Sequence, residues 1–164
     1  MFMMKKHPFK SLAVIPVLFL AVSCGILSHS DDKVCEAAAN ASVEEGIRIS
    51  VNTIIGIKGS PIHSSDGYYL SVKDGKAKSH LPFFGEAYQV AGYGTASGID
   101  FDDCPVSVSE SSRKDCRIWS FTGRIGHERI DVTIEFYESG SATVTCLSDI
   151  RSAMIYHGEV VDVQ

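Results

Sequence analysis

No run of roughly 20 consecutive apolar residues occurs in this chain, so nothing in it is long enough to cross a bilayer as a permanent helix. Positive charge is scarce, with 15 Lys and Arg against 20 Asp and Glu. An acidic surface repels phosphate backbones, which argues against a nucleic-acid partner. There is no Cys-x-x-Cys and no Cys/His cluster at zinc spacing, so a structural zinc site has no ligands in place. Histidines 29, 63, 80, 127 and 157 lie beyond the first 25 residues, and none is paired at i, i+4. His127-Glu128 runs on into Arg129-Ile130-Asp131 rather than a second histidine, so the helical zinc-protease motif is missing. A Gly-x-Ser-x-Gly elbow, a phosphate loop and a dinucleotide fingerprint are missing too. Asp100, Asp102 and Asp103 are clustered, but without the Gly and distal Glu of a calcium loop they read as a solvated turn. Neither metal nor cofactor is expected, and any catalytic site would have to be assembled from distant residues.

What the chain does have begins at its N-terminus. Lys5, Lys6 and Lys10 precede an apolar run from Leu12 to Val22, interrupted by Pro16 and followed by small residues up to Cys24. That is the layout of a cleavable signal peptide, residues 1–23. Leu20-Ala21-Val22-Ser23-Cys24 resembles the lipobox of bacterial lipoproteins, with Ala21 where Leu is usual. In such proteins the cysteine thiol is lipidated and becomes the new N-terminus. Each buried CH₂ of an acyl chain contributes about 0.8 kcal/mol, so several chains on Cys24 would hold the protein at a membrane. The expected address is the outer membrane, with the periplasmic face favoured over the cell surface. Ordinary secretory cleavage, leaving Cys24 as a plain thiol, is the alternative.

Three of the basic residues leave with the signal, so the mature chain sets 12 against 20 acidic ones, a formal charge of −8. Its length fits a tether (24–30) and one domain (31–164). Cys35, Cys104, Cys116 and Cys146 remain beyond the anchor, an even number in a compartment where disulfides persist. Two bridges are the natural expectation, with Cys104 and Cys116 the easiest local pair and three connectivities open.

From Asp31 to about Glu45 the alanine-rich composition predicts a short N-terminal helix capped by Ser30 or Asp31 and stopped at Gly46. Beyond it the apolar period becomes two. In Arg129–Tyr137, Ile130, Val132, Ile134 and Phe136 alternate with polar residues, and Glu138-Ser139-Gly140-Ser141 turns the chain into a second strand over Ala142–Leu147. Further strands are expected at Ile47–Ile57, Tyr68–Lys73, Lys76–Leu81, Ala87–Ala91, Gly98–Phe101, Val106–Ser109, Cys116–Thr122 and Met154–Val161, with Asp74-Gly75 a two-residue hairpin signal. The fold class is mainly β: an antiparallel meander forming a curved sheet, half-open barrel or sandwich, with the helix across one opening.

Tyr68-Tyr69-Leu70-Ser71-Val72, Asp74-Gly75, Leu81-Pro82-Phe83-Phe84-Gly85 and Gly98-Ile99-Asp100-Phe101 occur in that order. Gly140-Ser141-Ala142, Arg151, Met154, Tyr156 and Gly158 follow. Together they resemble a family of uncharacterised Bacteroidales envelope proteins known only as a domain of unknown function. The resemblance implies an exported, largely β domain with no assigned activity. The cysteines are not part of its pattern.

Leu81–Gly85 is the most unusual patch, because Pro82 removes a ladder donor and Gly85 frees the backbone where the chain leaves the sheet. Phe83 and Phe84 either form an aromatic lip for a ligand, joined by Tyr88 and Tyr93, or plug one end of the barrel. Three function classes follow. The leading one is a non-enzymatic module binding a small or apolar ligand, or an envelope protein, at the open end of the sheet. The others are a scaffold docking on another envelope component and a hydrolase without a local motif.

Overall fold

The computed structural model describes residues 38, 41–42, 44–57, 59–87 and 98–161. The signal, the tether, Cys24, Cys35, Tyr88 and Tyr93 lie outside the described residues, as does most of the expected strand at 87–91. Of the expected N-terminal helix, Ala38 is helical and buried, and Ala41 beyond it is buried but not helical. The chain then turns at Gly46 (φ +89°), whose amide donates to Ser42 O at 2.7 Å.

Among the described residues eleven strands follow in chain order: β1 (Ile47–Gly56), β2 (Ile62–His63), β3 (Tyr69–Lys73), β4 (Lys76–Pro82), β5 (Gly98–Ile99), β6 (Cys104–Pro105), β7 (Ser109–Arg113), β8 (Cys116–Ile125), β9 (Glu128–Tyr137), β10 (Ser141–Ser148) and β11 (Met154–Val161). They form one antiparallel sheet in the order β5-β4-β3-β1-β11-β10-β9-β8-β7, with β2 on β1 and β6 on β4. Short turns make two meanders, and the pairing of β1 with β11 fuses them.

Alternation drives the curl. Ile47, Ile49, Val51 and Ile54 from β1 and Ile130, Val132, Ile134 and Phe136 from β9 face one interior. They meet Trp119, whose ring lies edge-on to Phe136 with centroids 5.7 Å apart. The sheet curls until its β4–β6 side meets β8 through side chains. Phe101 packs on Phe121 at 6.2 Å, and Gly123 makes room, since a Cβ there would sit 2.5 Å from the Phe101 ring. The result is a half-open barrel.

The Asp74-Gly75 turn has positive φ at both residues (52° and 69°), as a twist-matched two-residue hairpin requires. One strand is misplaced by sequence reasoning. Residues 106–108 form a connection, and the ladder runs instead through Cys104–Pro105 and Ser109–Arg113. Every residue of β7 is exposed, so it carries no inward apolar signal. The ladder after Gly98 also stops at Ile99, although Phe101 stays buried and receives the Ser79 amide on its carbonyl at 3.0 Å.

Cys104, Cys116 and Cys146 are all unbridged. The local pair expected from spacing is not formed, for a geometric reason. Cys104 Sγ lies 3.8 Å from Arg124 O, at the far end of β8 from Cys116. A strand rises about 3.3 Å per residue, so the two thiols are separated by about 26 Å, far beyond bridging distance.

Candidate functional site

One end of the barrel is built from Gly56, Pro82, the β8–β9 turn, Ser148 and Met154. Here the chain leaves β4 and folds as a strap, residues 83–87, across to the β10–β11 connection. Pro82 has no amide to continue the ladder. The Tyr156 hydroxyl donates to Pro82 O at 2.8 Å, from a side chain that is otherwise wholly buried. At the far side Ser152 holds Glu86 twice, accepting its amide on Oγ at 2.9 Å and donating its own amide to Glu86 O at 2.8 Å. Ala87 forms a bridge with Arg151. Gly85 lies so close to this contact that a Cβ would stand 2.1 Å from Ser152 Oγ, so only glycine lets the strap fold flat.

Beneath the strap lies a buried ion pair. Glu128 starts β9 in phase with Ile130 and therefore faces inward; its side chain is 9% exposed and that of Arg151 10%. The guanidinium grips the carboxylate with two parallel bonds, Nε to Oε1 at 2.7 Å and Nη2 to Oε2 at 2.9 Å. Nη1 donates to Gly98 O at 3.2 Å and the Ser148 hydroxyl to Glu128 Oε1 at 2.5 Å. The same guanidinium lies over the Phe83 ring, 4.6 Å from its centroid. Both carboxylate oxygens are engaged, so this pair ties β9, β5 and the β10–β11 connection together instead of offering a free base.

Phe83 and Phe84 therefore part ways. Phe83 is half-buried, packs against the core and is covered by Arg151; Phe84 is 53% exposed. Ile57 just after β1, Ile62 in β2, Leu147 at the end of β10 and Ile155 at the start of β11 are exposed at the same end. Five of the six large hydrophobic residues exposed among the described ones gather there, Tyr137 being the exception. Truncating the two phenylalanines should separate their roles. Phe83→Ala is expected to cost about 2 kcal/mol, below the full range for a wholly buried Phe, and Phe84→Ala less than about 0.5 kcal/mol, both read from urea unfolding.

Two buried groups that could otherwise act as nucleophiles are held inert. Burial pushes the Cys146 thiol up to about 12 and raises the Tyr156 hydroxyl above its ordinary range. A catalytic thiolate needs the opposite shift. A thiol reagent should accordingly modify the half-buried Cys104 and Cys116 in the folded protein, and Cys146 only as fast as the barrel opens, as followed by peptide mass spectrometry. Among the described residues no three His, Cys, Asp or Glu side chains are grouped to hold a metal. Of the aspartate cluster, Asp100 accepts a hydrogen bond from His80 Nδ1 at 2.8 Å, and Asp102 and Asp103 are exposed.

Fold and site together define a class: a curled antiparallel β domain, plugged at one end by its own chain and braced there by a buried ion pair. The chain belongs to the DUF4251 family, a domain of unknown function whose family model matches residues 31–160. It is similar to a DUF4251 family protein from Bacteroides eggerthii DSM 20697, known from its crystal structure. The TM-score is 0.59 at 19% sequence identity, over 81% of this chain and 90% of that one, a likeness of fold. No curated protein matches the chain.

Proposed function

We propose that this chain is an exported, membrane-tethered binding module without enzymatic activity, anchored through lipidated Cys24 at the periplasmic face of the outer membrane. Its working surface is the apolar rim of the plugged end, which engages an apolar patch on an envelope partner or an apolar ligand. The observation that carries this reading is the gathering of Ile57, Ile62, Phe84, Leu147 and Ile155 around one end while the interior behind them is filled. An exposed apolar cluster of this kind marks an interaction site. A filled interior favours contact at the surface over capture in a cavity.

The test is a photo-crosslinking residue placed at position 84 and, separately, at position 137 in cells. One dominant adduct from position 84 and none from 137 is the expected result. Equal labelling from both positions, or none from 84, overturns the assignment of the rim. Radiolabelled palmitate incorporation that disappears in Cys24→Ala tests the anchor independently. Turnover on a broad panel of chromogenic esters, peptides and glycosides would overturn the non-enzymatic reading.

A further inference from the structure

The outer face of β1, β3 and β4 concentrates positive charge in a chain that is acidic as a whole. Strand register places Arg48, Ser71 and Lys78 in one cross-strand row and Lys73 opposite Lys76 in the next. Arg48 and the three lysines line an open groove of about 510 Å³ together with Tyr69, Ser71 and two carboxylates, Asp74 and Asp103. The Arg48 guanidinium stacks on the Tyr69 ring, 3.9 Å from its centroid. None of the four cations has a carboxylate partner among the described residues; the ion pairs there involve His80, Arg117, Arg129 and Arg151.

That arrangement works against the fold. Like charges directly opposite each other on neighbouring strands are destabilising, and Lys73 and Lys76 are such a pair. The 12 basic residues beyond the signal could be spread among 20 acidic ones, yet four of them crowd here unpaired. The chemistry of the face also says what it fits. Its lysines are exposed, flexible point charges, and no buried donor or ring of backbone amides shapes a seat for one small anion. A broad surface carrying many negative charges suits it better. The face also lies at the end of β1 where the chain enters from the N-terminal side, because Arg48 is the second residue of that strand and the β3–β4 turn sits beside it.

We propose that this face rests on the anionic headgroups of the lipid bilayer and orients the tethered domain. Basic residues near an anionic membrane are each attracted to it within about a Debye length. The contact holds the β1, β3 and β4 face against the lipid, while the apolar rim lies at the opposite end of strands about 30 Å long. This inference rests on the anchored reading given above.

The experiment uses the processed protein isolated from cells, reconstituted in vesicles if it is acylated and mixed with vesicles if it is not. Amine-reactive labelling of Lys73, Lys76 and Lys78 is read by peptide mass spectrometry. With phosphatidylcholine vesicles holding about a third phosphatidylglycerol, labelling at these lysines should fall about fivefold relative to phosphatidylcholine alone, and recover in about 0.5 M salt. The double variant Lys73→Glu/Lys76→Glu should lose the protection at Lys78. Equal labelling on the two kinds of vesicle overturns the proposal, and so does protection that survives salt or charge reversal. If soluble polyphosphate shields the lysines while the vesicles do not, the face belongs to a dissolved polyanion and the membrane assignment falls. A chain lacking an acyl group is recognised separately, by the absence of palmitate on Cys24, so failure of the anchor is not confused with failure of the face.

Discussion

Replacing Arg151 by methionine should destabilise the domain by about 3–5 kcal/mol, because the Glu128 carboxyl would be left buried with its main partner gone. The two side chains are only 10% and 9% exposed, so water cannot readily replace the guanidinium. The loss also reaches the strap, since the same side chain covers Phe83 and holds Gly98 O. Removing both charges in Arg151→Met/Glu128→Leu should return a large part of that stability, because an apolar pair of similar volume avoids desolvating two ions. The chain has one tryptophan, Trp119, fully buried in the core, so its fluorescence in urea follows global unfolding. A loss below about 1 kcal/mol in the single variant would mean that the pair is solvated and not structural.

The second large effect is expected at Gly158. Pairing between β1 and β11 slips between Val51 and Thr53, leaving Asn52 as an extra residue. Such a bulge bends its strand and presses it toward the neighbour. A Cβ on Gly158 would stand 2.0 Å from Ser50 O and 3.0 Å from Val51 Cα, both backbone atoms that cannot swing away. Gly158→Ala should cost about 3 kcal/mol, at the upper end of overpacking penalties, because β1 and β11 must separate to accept one methyl group. Gly59→Ala is the matched control. Nothing lies within 4 Å of a Cβ there, and the change should cost less than about 0.5 kcal/mol. If both glycines tolerate alanine equally, the bulge is not tightly packed.

Much of the fold is legible because alternation and turn chemistry are local. The β9 pattern places Ile130 through Phe136 inward, Asp74-Gly75 forms the expected hairpin, and β11 spans Met154–Val161 as read from its residues. The same period holds more than a first reading extracts. In β4, Ala77, Ser79 and Leu81 face inward; continuing that phase places Phe83 inside and Phe84 outside, as the structure has them. Glu128 is likewise in phase with Ile130, and a carboxylate on an apolar face signals a buried cation somewhere else in the chain.

What local pattern could not supply is which distant segment provides it. Arg151 reaches Glu128 only because β9 and β10 pair and the β10–β11 connection folds back beneath the strap. The local Cys104–Cys116 pairing misleads for the same reason, because the two are near in sequence yet lie toward opposite ends of β8. The polar strand β7 and the two-residue β2 carry too few apolar positions to show any period.

The union of β1 with β11 imposes a sequence of events on biogenesis. Among the described residues β1 is the first strand and finds half of its ladder only in β11, since Arg48 pairs with Val161 and Gly56 with Met154. Contacts so remote along the chain form slowly, because a long loop must close before they stabilise anything. A chain made from its N-terminus has no complete sheet to settle into until β11 exists, and loss of β11 would leave β1 with a bare edge. Maturation of the native state therefore has to wait for β11.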